Sequence, residues 1–78
     1  MHEFHIAIHS FREVQDFIRA AMVQPFEIFV SDERQKVNGK GFIGMVSLDF
    51  SHPLLVRCQC DSGSFDHFCQ QVKCLIVE

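Results

Sequence analysis

Apolar and polar residues alternate in four short stretches of the chain, and each stretch predicts a β-strand with one buried face. The predicted strands span residues 3–8, 26–31, 35–38 and 54–60. Successive side chains of a strand point to opposite faces, so the apolar positions of each strand should share one side of a sheet. The core positions predicted on these strands are Phe4, Ile6, Ile28, Val30, Val56 and Cys58.

Three further stretches have the apolar spacing of helices. The first spans residues 10–22 and opens with Ser10 and Glu13, which fit a capping box that satisfies free backbone amides. Residues 42–48 predict about two turns of helix, and Ser64 is the predicted cap of a last helix. Residues 74–77 are apolar and either finish that helix or extend past it. The apolar stripe of the first helix is Phe11, Val14, Phe17, Ile18 and Ala21. Of these, Val14, Phe17 and Ile18 are predicted core positions, and Phe68 and Val72 are the core positions of the last helix.

These elements follow one another in the order β-α-β-β-α-β-α. No repeat or flexible linker divides residues 1–78, so we expect a single α+β domain. The economical packing is one four-stranded, mostly antiparallel sheet with three helices on one face. Phe29 and Leu55 would then lie on the other face, and a second copy of the chain that covers them would form a homodimer.

The composition narrows the class of partner. The formal net charge is -3 and there is no run of Lys or Arg, so nucleic acid is not an expected partner. No apolar run approaches the roughly 20 residues that a membrane span needs. The first residues also lack the basic start and apolar stretch of a secretory signal, which predicts a cytoplasmic protein.

Four cysteines raise the alternatives of a disulfide, a metal site or simple packing. A reducing cytoplasm disfavours disulfides. Cys58 and Cys60 fall on the core face of a predicted strand, where buried cysteine is common. A zinc site would need a second pair such as His67 and Cys69, which are too close in sequence to share a helix face well. We therefore expect reduced, packed cysteines, no bound metal and no cofactor.

Residues 36–48 carry a more specific pattern, which reads Val-Asn, Lys, two apolar residues and Gly, two more apolar residues, and Ser-Leu. This pattern resembles the third strand and second helix of HPr, the histidine-containing phosphocarrier of the bacterial phosphotransferase system. Residues 3–6 resemble the first HPr strand, and the order of elements is the same. The resemblance implies an open-faced β-sandwich that is a phosphocarrier or a binding protein rather than an enzyme.

The resemblance also implies where the chemistry lies. In HPr, a His at the start of the first helix accepts phosphate from enzyme I and passes it to sugar-specific permease components, beside an Arg two residues later. Counting back from residues 36–48 without gaps places Ser10 at the His position and Arg12 at the Arg position. If Ile8 and His9 are matched instead to the family's Ile-His, the His is kept, but Arg12 falls one position after the family's Arg. The candidate site residues are therefore His9, Ser10 and Arg12, and Glu13 in the first turn would repel phosphate.

The second helix resembles the docking surface of the family. Phe42, Ile43 and Val46 match the apolar residues that contact enzyme I and other partners. Gly41 stands where many relatives carry a regulatory Ser. Neighbours on a helix point about 100° apart, so Phe42 or Ile43 should be exposed. Two functions follow: a divergent component of the phosphoenolpyruvate-dependent sugar phosphotransferase system, or a phosphate-independent binding module that kept the fold.

Overall fold

The computed structural model describes residues 2–77, which form one antiparallel sheet of five strands with three α-helices. The strand order in the sheet is β3-β2-β4-β1-β5. This confirms the predicted α+β class. The elements are β1 (His2–Ile6), α1 (Phe11–Met22), β2 (Ile28–Ser31), β3 (Lys36–Asn38), α2 (Phe42–Val46), β4 (Leu54–Cys58), α3 (Ser62–Gln71), a 3₁₀ turn (Lys73–Leu75) and β5 (Ile76–Val77).

The fifth strand corrects the predicted count of four. After the 3₁₀ turn, Ile76 and Val77 pair with Ile6 and His5 of β1 at the edge of the sheet. At the same edge, the amide of Ala7 donates a hydrogen bond of 2.9 Å to the carbonyl of Leu75. A strand of two residues is too short to show alternation in the sequence. The apolar run 74–77 thus extends past the helix, and Glu78 lies outside the described residues.

The last helix begins earlier than predicted because a different residue caps it. Asp61 is its N-cap, and Asp61 Oδ1 accepts the amide proton of Ser64 at 2.7 Å. Ser64, the predicted cap, lies inside the first turn instead. β4 ends at Cys58 rather than at Cys60, and Asp61 has the extended backbone of an N-cap.

The core lies between one face of the sheet and the helices. Of the eleven predicted core positions, ten are buried. The exception is Phe4, which is half-buried and packs its ring against Phe65 and Phe68. Phe11 departs further from prediction, because its side chain is 57% exposed instead of lying on the buried stripe of α1. This first turn lies beside α2, where the ring of Phe11 contacts the ring of Phe42.

The opposite face of the sheet carries Phe29 and Leu55 as predicted, and both are half-buried. Lys36 Nζ lies 5.0 Å from the centroid of the Phe29 ring. Arg57 Nε lies 2.7 Å from Glu3 Oε2 on the adjacent strand. Charged side chains of the chain itself therefore cover part of this face, and a homodimer through it stays a prediction. No helix within residues 2–77 is both long and apolar enough to cross a membrane.

Candidate functional site

The start of α1 is organised by a reciprocal pair of hydrogen bonds. Ser10 is the N-cap, with extended backbone, and its Oγ accepts the amide proton of Glu13 at 3.2 Å. This confirms the predicted cap. Glu13 Oε1 in turn accepts the amide proton of His9 at 2.7 Å. In a standard capping box this return bond goes to the cap residue itself, so here the carboxylate reaches one residue further back.

The same carboxylate lies beside the imidazole of His9. Glu13 Oε1 is 3.6 Å from His9 Nδ1, and the side chains of His9 and Glu13 are 78% and 34% exposed. A negative charge thus occupies the space next to the ring and takes the His9 amide, a donor that an incoming anion could otherwise use. The carboxylate that we expect to repel phosphate therefore lies beside the His9 ring and on the His9 amide.

His9 and Ser10 are among the residues that line an open groove of about 460 Å³. The groove continues over apolar side chains from the loop before α1, from α1 and α2, and from the loop before β4. The groove brings together one residue predicted for the phosphate site, His9, and one predicted for partner docking, Val46 of α2. Arg12 is exposed in the first turn of α1 and, of the residues described, is not among those that line the groove. The apolar lining is Ile8, Phe11, Val14, Val46 and Phe50.

An exposed apolar surface adjoins this groove, and we call Phe11, Phe42, Ile43 and Val46 the apolar patch. The exposed fractions of Phe42 and Ile43 are 43% and 79%, so the prediction that at least one is exposed is confirmed. Phe11 and Phe42 pack edge to face, with ring centroids 5.6 Å apart. Single exposed apolar residues are ordinary, but a cluster of four marks a surface suited to binding.

The short helix α2 exposes so much apolar surface because of how it sits on the sheet. It buries Met45 fully, and its Gly44 approaches β3 so closely that an added Cβ would lie 3.0 Å from Val37 Cβ. With Gly44 and Met45 facing inward, the side chains of Phe42, Ile43 and Val46 turn toward solvent. Gly41 at the N-cap of α2 provides no side-chain hydrogen bond to the helix.

Two residues of this region were not identified from the sequence. Helical spacing predicts Phe11 on the apolar stripe of α1. Its position in the first turn, ahead of Val14, Phe17 and Ile18, is the signal that would indicate a place at the edge of that stripe. Phe50 lies in a loop that has no periodic pattern, so no local signal marks it as part of the groove.

The four cysteines carry free thiols and differ in burial. Cys58 is fully buried, as predicted, and burial raises the pKa of its thiol to about 12. Burial also raises the pKa of the half-buried Cys60 and Cys69, whereas Cys74 is exposed. His67 Nε2 lies 3.4 Å from Gln71 Nε2. Within residues 2–77, no group of three or more potential ligands is arranged to hold a metal ion.

Comparison with known proteins connects this geometry to one fold. No protein-family model matches the chain, and no curated protein is similar to it in sequence. The chain is similar to the crystal structure of HPr-C-His from Thermoanaerobacter tengcongensis, with a TM-score of 0.74 and 23% sequence identity. The similarity covers 94% of this chain and 92% of that one. The protein therefore has an HPr-like fold.

Proposed function

We propose that the protein is an HPr-like component of a phosphoenolpyruvate-dependent sugar phosphotransferase system. In this proposal it docks a cytoplasmic partner of the enzyme I or permease-component type through the apolar patch. His9 accepts phosphate slowly, if a donor is presented. The observation that carries the proposal is that His9 and Val46 line one groove, so that a nucleophilic ring adjoins the surface that would seat the partner.

The apolar patch supplies the binding free energy in this proposal. Burying an exposed aliphatic or aromatic side chain against a partner is favourable by about 25 cal/mol per Å² of apolar surface. Ile43 has the largest exposed fraction of the apolar patch, 79%, and therefore a large surface to bury on docking. Its truncation should cost the complex more than it costs the fold.

In this proposal His9 is the phosphoryl acceptor, because it is a better nucleophile than the neighbouring Ser10 and Arg12. Imidazole is a competent nucleophile near neutral pH. The Ser10 hydroxyl oxygen instead caps α1, and no base within hydrogen-bonding distance activates it among the described residues. Arg12 in the first turn can offer charge-assisted hydrogen bonds to phosphate, while Glu13 opposes the same charge.

The test is binding of purified enzyme I, measured by isothermal titration calorimetry. We expect Ile43→Ala to weaken binding about tenfold, a loss of about 1.4 kcal/mol. Val23→Ala is the matched control, because Val23 is also an exposed apolar residue (72%) but lies at the far end of α1. Equal affinities for the wild type, Ile43→Ala and Val23→Ala would remove the apolar patch from the proposal.

A second function is favoured by one specific observation. The Glu13 carboxylate already takes the His9 amide and lies 3.6 Å from the His9 ring, the place that a phosphocarrier would keep open for an anion. A phosphate-independent binding module would keep the apolar patch and tolerate this arrangement. Partner binding that is unaffected by His9→Ala, together with no labelling by enzyme I and phosphoenolpyruvate, would select this second function.

A further inference from the structure

The helix α2 is too short to fix its own orientation. It has five residues, of which Met45 is buried, and its N-cap Gly41 makes no side-chain hydrogen bond. An isolated helix of this length is marginal in water, so the direction of α2 depends on what holds its two ends. At the C-terminal end, Gln35 Nε2 donates to the carbonyl of Ser47 at 3.0 Å. The orientation of the apolar patch therefore depends on how the other end is held.

The side chain of Lys40, two residues before α2, holds that other end. Lys40 Nζ donates to the carbonyl of Gln24 at 2.7 Å, across 16 positions of the chain. Gln24 follows the last turn of α1, and the C-terminal end of a helix attracts a cation. The amides of Lys40 and Gly41 instead bond locally, to Oδ1 and to the carbonyl of Asn38. The Lys40 ammonium is thus the group that joins this turn to α1.

Gln24 is a firm anchor for the ammonium. Its side chain is buried, and its Nε2 donates to the carbonyl of Ala20 at 3.2 Å and to Oε1 of Gln71 on α3 at 2.8 Å. Both α1 and α3 therefore hold the residue whose carbonyl receives Lys40. A hydrogen bond from a charged donor is stronger than one between neutral groups, so this contact resists displacement.

The start of α2 thus meets α1 at two separated points. Phe42 packs on Phe11 at the first turn of α1, and Lys40 reaches Gln24 beyond its last turn. The twelve residues of α1 separate these contacts by about 18 Å. Two separated contacts fix the direction of a short helix, whereas a single contact would let it pivot. We infer that Lys40 is a positioning residue for docking, which holds α2 so that Phe11 and Phe42 present one surface. Its effect on docking rests on the proposed function, whereas its effect on the position of α2 does not.

The first experiment measures the position of α2 without any partner, by the nuclear Overhauser contacts between the ring protons of Phe11 and Phe42. Lys40→Met keeps the aliphatic stem and removes the ammonium, so we expect these contacts to be lost. Lys40→Gln is shorter and should behave in the same way, whereas Lys40→Arg keeps a charged donor and should retain them. Lys73→Met is the control, because Lys73 is exposed in the 3₁₀ turn before β5, at the opposite edge of the sheet from β3. Undiminished ring contacts in Lys40→Met and Lys40→Gln would overturn the inference.

The second experiment measures binding of purified enzyme I by isothermal titration calorimetry. We expect Lys40→Met to weaken binding about threefold, and Lys40→Arg and Lys73→Met to bind as the wild type does. Phe42→Ala should weaken binding about tenfold in the wild type but only about threefold in Lys40→Met, because Phe42 is already displaced there.

A residue that only stabilises the fold would not change the effect of Phe42→Ala on the affinity of the folded protein. Additive effects of Lys40→Met and Phe42→Ala, or an unchanged affinity in Lys40→Met, would therefore overturn the docking role of Lys40. If wild-type protein did not bind enzyme I, the proposed function and the docking role would both fall, and the ring contacts would still decide whether Lys40 positions α2.

Discussion

Phe11 and Phe42 pack edge to face across the two helices that flank the groove. Their ring centroids are 5.6 Å apart and their planes meet at 85°. Phe11 opens α1 and Phe42 opens α2, so this contact fixes the first turns of both helices relative to each other. The apolar patch is therefore a single surface carried by two elements, with His9 two residues before Phe11.

The Phe11–Phe42 contact should appear as a coupling free energy. We expect a double-mutant cycle with Phe11→Leu and Phe42→Leu, measured by urea unfolding, to give about 0.5–1 kcal/mol of coupling. Phe29 lies on the far face of the sheet, and Phe11→Leu with Phe29→Leu should therefore be additive. Coupling as small in the first pair as in the second would mean that the rings do not stabilise each other.

Two neighbouring glycines should respond differently to substitution. A Cβ added at the buried Gly39 would lie 2.8 Å from Ile28 Cγ2 and 3.2 Å from Val30 Cγ2. Overpacking of this kind costs about 1–3 kcal/mol, so Gly39→Ala should lower the free energy of unfolding by that amount. A Cβ at Gly41 meets only the carbonyl oxygen of Asn38, at 3.5 Å.

Gly41→Ser is the variant to compare with Gly39→Ala. Gly41 has the extended backbone of an N-cap, and Ser would add the missing side-chain acceptor for the amides of α2. We expect Gly41→Ser to leave stability unchanged or to raise it by a few tenths of a kcal/mol, about 0.3. Equal losses in Gly39→Ala and Gly41→Ser would contradict the packing described for this turn.

The strands and helices were predictable wherever a periodic pattern was long enough to be seen. Alternation located Ile28, Val30 and Val56 on the buried face, and the register of β2 and β4 pairs Val30 with Val56. The sequence pattern did not predict those elements whose structure depends on contacts with distant parts of the chain. The two-residue strand β5 forms because Ile76 and Val77 can pair with the free edge of β1.

The same limit explains what was missed at the candidate site. Phe11 is exposed because its turn lies beside α2, and Phe50 reaches the groove from an aperiodic loop. The local signal of Ser10 and Glu13 predicted the cap correctly, since both partners lie within one turn. The hydrogen bond that the His9 amide donates to Glu13 Oε1 depends on the path of the chain before the helix, which the local pattern does not show.

Stability should fall in acid partly through Asp32. Hydrogen bonds from the amides of Asp49, Arg34 and Gln35 lower its pKa below the usual 3.8. Its contribution is therefore complete above 3.8 and is lost as the pH falls through the lower, folded-state pKa. Asp32→Asn should reduce stability at neutral pH, with the difference from the wild type shrinking in that acid range.

Urea unfolding across pH measures this effect, and Asp16→Asn is the control. Asp16 is an exposed aspartate on α1, so its replacement should leave the pH profile of unfolding almost unchanged. A gap between the wild type and Asp32→Asn that stays constant down to the most acidic pH would rule out the proposed linkage.

The cysteines should react with iodoacetamide in order of exposure. The thiolate is the reactive form, and burial raises the pKa of Cys58 to about 12, so Cys58 should stay unmodified in the native protein. Cys74 is exposed and should be modified first. Mass spectrometry should find all four modified in denaturant. Early modification of Cys58, or stoichiometric zinc in protein purified without added metal, would contradict this picture.

Phosphotransfer gives the sharpest test of the Glu13 charge. We expect enzyme I and phosphoenolpyruvate to label the protein slowly or not at all, with any label on His9 and abolished by His9→Ala. Glu13→Ala removes about 1 kcal/mol of repulsion of the incoming dianion and frees the His9 amide, so a residual rate should rise about fivefold. The label should be acid-labile and base-stable, as the phosphohistidine of the resembled family implies. Rapid labelling that survives His9→Ala would place the acceptor elsewhere. Rapid labelling of His9 in the wild type would mean that Glu13 does not hinder the transfer.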